Sequence, residues 1–555
     1  MKNIPAPFGA TPDENQYEHL KMGMKAFFHF GVNTFTDLEW GHGDEPEQAF
    51  SPTGMDIPGW IRTAKAAGFR LCILTAKHHD GFCLWRSAYT DHTIKNSPYK
   101  NGEGDIVREF TDACRAEGMA VGLYVSPWDR HSPYWGKPEY SEVYAKQLTE
   151  LMTGYGRIDE VWWDGAGSSE TKYDWALWAD IIHKNQPHAV IFGSMGATPY
   201  VTMRWVGNEA GFADPTHYSS IDNESMYKED RTVLVTGRIG AERFIPSEVD
   251  ASVRPGWFYH EEQDRAVKTP EEINRIWFSS VGRNSIMLLN FPPDRAGRIH
   301  PRDAENAIES HRQISRMLAT DFALGARVTS DSTFSPDTPA AAATDGDGNT
   351  FFAAGEGRRE ATLNITLEAP TEANVLILGE EVRLGERITS FSLETLDGET
   401  HAEICSGASV GYLRALVIPR GVYKNLRLHI KGVAEPTLRR FSLHLFEGST
   451  VPPRLLEKEN IMNKSTATVE LSDDRKCAVL NFGGIYPFST VSFSTPDMCG
   501  YELYIFDGSK FRLADKGETR STRGEIILPD TVSDAYQIKL ITGLPLNEDP
   551  DFSVM

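Results

Sequence analysis

A chain of 555 residues, 40% hydrophobic and 11% aromatic, has room for roughly two to four domains and a large buried core. Its 56 basic residues against 78 acidic ones leave a formal charge of −22, which repels polyanions and disfavours a nucleic-acid partner. No apolar run approaches the roughly 20 residues that span a bilayer, which argues against a membrane protein.

The opening segment, Met1-Lys2-Asn3-Ile4-Pro5-Ala6-Pro7, lacks the apolar stretch of a signal peptide, and a cytoplasmic protein is expected. From about residue 20 to 292, short apolar runs alternate with amphipathic stretches, the pattern of repeated β-α units around a parallel sheet. The predicted strands are Ala26–Val32, Arg70–Thr75, Met119–Val125, Glu160–Trp163, Ala189–Gly193, Met203–Val206, Arg243–Pro246 and Ser285–Asn290. Between them, stretches such as Ile57–Ala67 and Asp105–Glu117 repeat apolar residues every three or four positions, as helices do. Eight strands over this length predict a (β/α)8-like TIM barrel.

Beyond Asp303 a helical stretch, Ala304–Leu318, leads into sequence rich in Thr, Ser and Gly. Runs such as Thr362–Leu367 and Phe441–Phe446 alternate apolar and polar residues, as half-buried antiparallel strands do. Val451-Pro452-Pro453 interrupts the pattern, and strands resume from Thr466 to Ile541. The expected organisation is a barrel over residues 1–320, a β-sandwich over 321–447 and a β-rich module over 448–555. The six cysteines show no C-x-x-C spacing and read as free thiols.

In a parallel barrel the reactive groups follow the C-terminal ends of strands. Those positions hold His29, then His78, His79 and Asp80, then Tyr124 and Ser126, then Trp163-Asp164-Gly165, and later Trp205 to Ala210 and Ser247 to Asp250. Aromatic faces beside hydrogen-bonding groups suit a sugar ring, and glycoside hydrolysis needs two carboxyl groups, one ionised and one protonated. Asp164 and Glu209 are the expected pair, with Glu248 and Asp250 competing for the acid role. A metal held by His29, His78, His79 and Asp80 is the rival reading. Against it, adjacent side chains on an extended segment point in opposite directions, so no metal is expected.

The blocks Phe27-Phe28-His29-Phe30-Gly31, Glu39-Trp40, Lys77-His78-His79-Asp80-Gly81-Phe82, Gly122 to Ser126, Trp163-Asp164-Gly165 and Val281 to Asp294 together resemble the family 29 α-L-fucosidases. The resemblance covers residues 20 to 300. It implies a retaining hydrolase with Asp164 as nucleophile, fucose held by His29, Glu39, Trp40, His78, His79, Tyr124, Arg254 and Trp257, a fucosylated oligosaccharide or glycoconjugate as substrate, and no required cofactor. The segments Trp205–Gly211 and Pro246–Asp250 are similar to the subfamily that cleaves α-1,3/1,4 linkages, which implies Glu209 as acid/base. Gly41-His42-Gly43 departs from the aromatic-rich continuation of the broad-specificity subfamily, whose range includes α-1,2 linkages.

Residues 325 to 447 resemble a discoidin-like carbohydrate-binding sandwich, through Thr344 to Ala353 and the closing strand Phe441–Phe446. Such modules often hold a structural calcium through oxygen ligands, but here the acidic turn, Asp345-Gly346-Asp347, is expected simply to stabilise a loop. Two alternatives stay open to the sequence: a metal-dependent barrel hydrolase, and a noncatalytic glycan-binding protein.

Overall fold

A computed structural model describes residues 3–165, 168, 171–193, 197, 200–224, 231–396, 401–450, 468–482, 488–506, 511–519, 523–532, 537–547, 550 and 552–554. The chain divides into two compact units, one of Met1–Thr36 with Trp40–Val451, the other of Asp37–Glu39 with Pro452–Met555.

The first unit holds a closed parallel barrel. Its strands are β1 (Met24–Phe28), β2 (Leu71–Lys77), β3 (Ala120–Val125), β4 (Glu160–Trp162), β5 (Val190–Gly193), β6 (Met203–Trp205), β7 (Ser247–Ser252) and β8 (Ile286–Asn290), with β8 pairing back onto β1. Seven of the eight overlap the predicted strands. The seventh does not: Arg243–Phe244 forms a short antiparallel pair with Ser220–Ile221 outside the barrel, and the chain enters the barrel only at Ser247.

Helices cover the outside where the sequence supplies start signals. Asp56 and Asp105 cap Ile57–Ala66 and Ile106–Glu117 by accepting from the Gly59 and Arg108 backbone N–H groups. Thr269 and Glu272 form a reciprocal capping box before Pro270–Ser279. A further helix, Glu14–Met22, is set by an Asp13–Gln16 capping box and buries His19 and Leu20. His19 approaches Glu160 on β4 and Leu20 belongs to the same buried cluster as Ile73 and Ile286, so this helix stands against the N-terminal end of the barrel.

Strand alternation decides what lines the interior. Lys25 and Phe27 point in from β1, Glu160 and Trp162 from β4, Glu248 and Asp250 from β7, and Ile286 and Leu288 from β8, while Ala26, Phe28, Cys72 and Leu74 face the helices. Gly122 of β3 is required by this crowding, since a Cβ there would lie 2.6 Å from Ile73 Cγ1.

The same unit continues into an antiparallel sheet in which the long strands Glu360–Gly379 and Arg414–Gly432 are central, flanked by Arg327–Ser330, Ile388–Thr395, Ala402–Gly407 and Arg440–His444. Its own core includes Leu363, Leu376, Leu393, Leu426 and Leu428. The sheet is joined to the barrel by polar contacts: buried Glu386 accepts from the Ser219 and Ser220 N–H groups and from Asn284, whose Oδ1 accepts the Tyr412 N–H at 2.7 Å. In the acidic turn, Asp345 accepts from Asp347 N and Thr350 Oγ1 at 2.9 and 2.7 Å, and Asp347 accepts from Asn349 N at 2.9 Å. These bonds account for the turn as a closed loop.

The second unit is all β among its described residues. One sheet orders Thr468–Leu471, Cys477–Asn481, Gln537–Thr542, Gly500–Phe506 and Phe511–Glu518; another joins Arg523–Val532, Phe488–Ser494 and Ser553–Val554. Leu480, Phe493, Leu503, Ile538 and Leu540 form its core.

Candidate active site

The inward rows of the barrel strands end in polar side chains at the C-terminal mouth. His29 continues the row of Lys25 and Phe27. Its Nδ1 lies 2.9 Å from Asn290 Oδ1, which also accepts the His29 backbone N–H at 3.2 Å. Asn290 Nδ2 in turn donates to the Trp257 carbonyl at 2.7 Å and to Ser252 Oγ at 3.0 Å, so the amide oxygen faces His29. The imidazole therefore donates through Nδ1, and Nε2 is left as the acceptor.

His78 and His79 lie with ring centroids 4.2 Å apart, on the same side of the chain. This reverses the expectation of opposite directions, because strand alternation stops at Lys77: Gly81 N donates to the His78 carbonyl at 3.0 Å and Gly81 takes φ +88°, closing a turn. His79 Nδ1 is 2.7 Å from Ser126 Oγ, and its Nε2 is 3.6 Å from Asp164 Oδ2. His78 stacks on Tyr124 at 5.5 Å and meets Phe258 edge-on at 5.0 Å. Among the described residues, these histidines and Asp80 do not bring three ligand atoms within reach of one ion.

Asp164 emerges two positions after Trp162. The Tyr124 hydroxyl donates to its Oδ2 at 3.0 Å. Burial, and then the Asp164 charge, push the Tyr124 phenol well above its ordinary range, so it stays protonated and can donate. The rings beside Asp164 are closed to solvent, with His79 1% and Tyr124 0% exposed, whereas the Asp164 side chain is 30% exposed. A carboxylate fixed by buried partners yet open to solvent can meet a substrate.

Glu209 follows β6. Its Oε2 accepts from Trp257 Nε1 at 3.1 Å, and the Trp257 ring lies 5.1 Å from His29. His29 is 5.9 Å from Tyr124. A continuous run of side chains, Glu209–Trp257–His29–Tyr124–Asp164, thus joins the two candidate carboxyl groups. Trp40 approaches His79 edge-on at 6.0 Å and Trp128 at 5.4 Å.

The competing acids are engaged elsewhere. Glu248 is fully buried between Lys25 and Trp162, and Asp250 is 3% exposed and accepts Trp205 Nε1 at 3.1 Å. Arg254, expected at the sugar, is held by two carboxylates. Its side chain is 0% exposed, with Nε and Nη2 on Asp303 at 2.8 and 3.0 Å and Nη1 on Asp264 at 2.8 Å. These two ion pairs brace the loop that carries Trp257. Glu39 is buried.

Sequence reasoning left Asn290, Ser126 and Phe258 without roles. Asn290 had a usable signal, a polar residue ending the apolar run Ile286-Met287-Leu288-Leu289 at the mouth of the barrel. Ser126 stands at the rim in the sequence, but its role is legible only in space, where its hydroxyl contacts His79, the Trp128 carbonyl at 2.7 Å and the Asp164 carbonyl at 3.3 Å.

Burial lowers His29 from 6.5 to about 3, against the pull of Asn290, and also takes His78 well below 6.5. On acidification the unfolded chain binds protons at both imidazoles from about pH 6.5 downward, while the fold refuses them at His29 until about pH 3. Stability contributed by these residues is therefore present at neutral pH and lost as pH falls. The melting temperature should drop between about pH 7.5 and about pH 5, and His29→Gln should flatten that slope. An unchanged slope in the variant would show that His29 already charges in the folded protein.

The profile of the α-L-fucosidase family matches residues 9–311. The chain is 37% identical over 470 residues to α-L-fucosidase 1 of Arabidopsis thaliana, covering 81% of this chain and 91% of that one. A crystal structure from Bacteroides thetaiotaomicron, described as a candidate α-L-fucosidase, superposes with TM-score 0.77 at 39% identity, covering 80% of this chain and 99% of that one. A Ruminococcus gnavus family 29 fucosidase solved in complex with fucose gives TM-score 0.73 at 29% identity, covering 80% and 97%. With a closed parallel barrel, a polar mouth and these relatives, the chain belongs to the α-L-fucosidases of glycoside hydrolase family 29 and is a glycoside hydrolase of that class.

Proposed function

We propose that this enzyme releases terminal α-1,3- or α-1,4-linked L-fucose from fucosylated oligosaccharides or glycoconjugates, with retention of configuration. The observation that carries the reading is the setting of Asp164: exposed to solvent, held by Tyr124 at 3.0 Å, and joined through His29 and Trp257 to a second carboxyl group. Asp164 attacks the anomeric carbon while Glu209 protonates the departing glycosidic oxygen, and a β-linked fucosyl ester forms. Glu209 then takes a proton from water, which attacks the same carbon and restores the α configuration. The Trp257 indole donates to Glu209 Oε2 and orients the carboxyl group. His29, His78, His79, Trp40 and Trp257 supply polar edges and ring faces to the sugar, and fucose is the sugar bound in the Ruminococcus gnavus relative.

Proton NMR of the first product tests the stereochemistry, with α-L-fucose expected before mutarotation; initial β-L-fucose would overturn the double displacement. A panel of 2′-fucosyllactose, 3-fucosyllactose and Lewis trisaccharides tests the linkage. Release from the 3- and 4-linked sugars is expected, and release from the 2′-linked sugar alone would overturn the linkage assignment.

A further inference from the structure

Beneath the site, the barrel interior carries a charged layer that the reaction above does not use. Lys25 of β1, Glu160 of β4 and Glu248 of β7 meet there, each with a side chain 0% exposed. The Lys25 ammonium donates to Glu160 Oε2 at 2.6 Å and to Glu248 Oε1. Removing three ionisable groups from water is costly, and packing alone would be served as well by aliphatic side chains of similar volume.

The layer is distinguished by what rests on it. Glu248 Oε2 accepts Trp162 Nε1 at 3.0 Å. The Trp162 ring lies flat between Phe192, at 3.7 Å and 5°, and Tyr124, at 5.6 Å and 24°. Tyr124 donates to Asp164, and Asp164 is also only two residues beyond Trp162 in the chain. Glu248 thus reaches the reactive carboxylate through the stacked rings of Trp162 and Tyr124.

Building on the assignment of Asp164 as nucleophile, we propose that Glu248, anchored by Lys25, is a positioning residue for the covalent step. Its hydrogen bond fixes the Trp162 indole in its own plane, the indole seats Tyr124, and Tyr124 sets the attacking oxygen. Stacking alone resists tilting of an aromatic ring but permits sliding; a hydrogen bond to a fixed carboxylate removes that freedom. Glu248 touches no substrate, so its effect falls on the rate of attack rather than on fucose binding.

The test uses 2-deoxy-2-fluoro-α-L-fucosyl fluoride. Attack on its anomeric carbon expels fluoride and leaves a slowly hydrolysed ester on the nucleophile, so labelling reports that step alone. Peptide mapping of labelled wild-type enzyme is read first: ester on Asp164 upholds the nucleophile assignment, and ester on another carboxylate removes it together with the present proposal. With Asp164 labelled, Trp162→Phe and Glu248→Gln should each slow labelling by about tenfold or more, with the inactivator's binding constant within about twofold of wild type. Trp162→Phe combined with Tyr124→Phe should lose little beyond Tyr124→Phe alone, because the two act along one route. Ile73→Val, in the same interior but off the route, should lower the melting temperature and leave labelling unchanged. If Glu248→Gln does not fold, Trp162→Phe carries the test, since it leaves Lys25 and both carboxylates in place. Labelling at the wild-type rate in folded Trp162→Phe, or fully additive losses in the double variant, would overturn the proposal while leaving Asp164 as nucleophile intact.

Discussion

Replacing Asp164 by alanine is expected to lower kcat/KM at least about a thousandfold, a loss of roughly 4 kcal/mol of transition-state stabilisation. The size follows from the role: without the carboxylate no fucosyl ester forms, and water must attack directly against a poor leaving group. The fold should tolerate the change, because the Asp164 side chain is 30% exposed and contributes hydrogen bonds rather than core packing. Azide supplied to Asp164→Ala with an aryl α-L-fucoside should occupy the vacated space, attack from the nucleophile's side and yield β-L-fucosyl azide. A folded variant with near-normal turnover would remove Asp164 from the reaction. Loss of activity without any azide product, together with a lowered melting temperature, would indicate that Asp164 mainly supports Tyr124 and His79.

Much of the barrel was legible because seven strands carry enough aliphatic or aromatic residues to stand out from their helices. The seventh was misplaced by four residues, for a physical reason. Ser247-Glu248-Val249-Asp250-Ala251-Ser252 reads as a polar loop, yet its inward positions bear the two carboxylates that hold Trp162 and Trp205. The adjoining Phe244-Ile245-Pro246 looked more like a core strand. An interior that carries charge defeats a rule based on apolar alternation. The helix Glu14–Met22 escaped for a related reason, since its buried face includes Gln16 and His19, and Gln16 serves the Thr202 and Phe244 carbonyls at 2.9 and 2.6 Å.

The site divides in the same way. His29, Tyr124 and Asp164 continue inward rows of strands, so alternation and strand polarity suffice to bring them to one mouth. Arg254 does not follow such a row. An arginine just beyond a strand gives no local sign of its ion-pair partner, and Asp303 lies 49 positions later. The paired imidazoles of His78 and His79 are hidden in the sequence because extended chain ends at Lys77 and the turn at Gly81 has no apolar signature. Each departure marks a place where a tertiary partner, absent from local sequence, sets the direction of a side chain.

Glu209→Ala separates the acid from the nucleophile by the chemistry of the leaving group. An aryl fucoside departs as a stabilised phenolate and needs little protonation, so formation of the ester should slow by about tenfold or less. A galactosyl or N-acetylglucosaminyl alkoxide needs the proton, and its release should slow by about a hundredfold to ten-thousandfold. The second half-reaction also loses its base, so ester accumulates on aryl substrates, and pre-steady-state traces should show a burst of phenol followed by slow turnover. Azide, which needs no base, should relieve that slow phase and yield α-L-fucosyl azide, the anomer opposite to that expected from Asp164→Ala. Trp257→Phe removes the indole donor to Glu209 Oε2, and it should reproduce a weaker form of the same leaving-group dependence. Equal losses on aryl and glycan substrates, or no α-azide, would assign proton transfer to another group at the mouth of the barrel. Neither Glu248 nor Asp250 could serve without breaking the bonds that hold them to Lys25, Trp162 and Trp205.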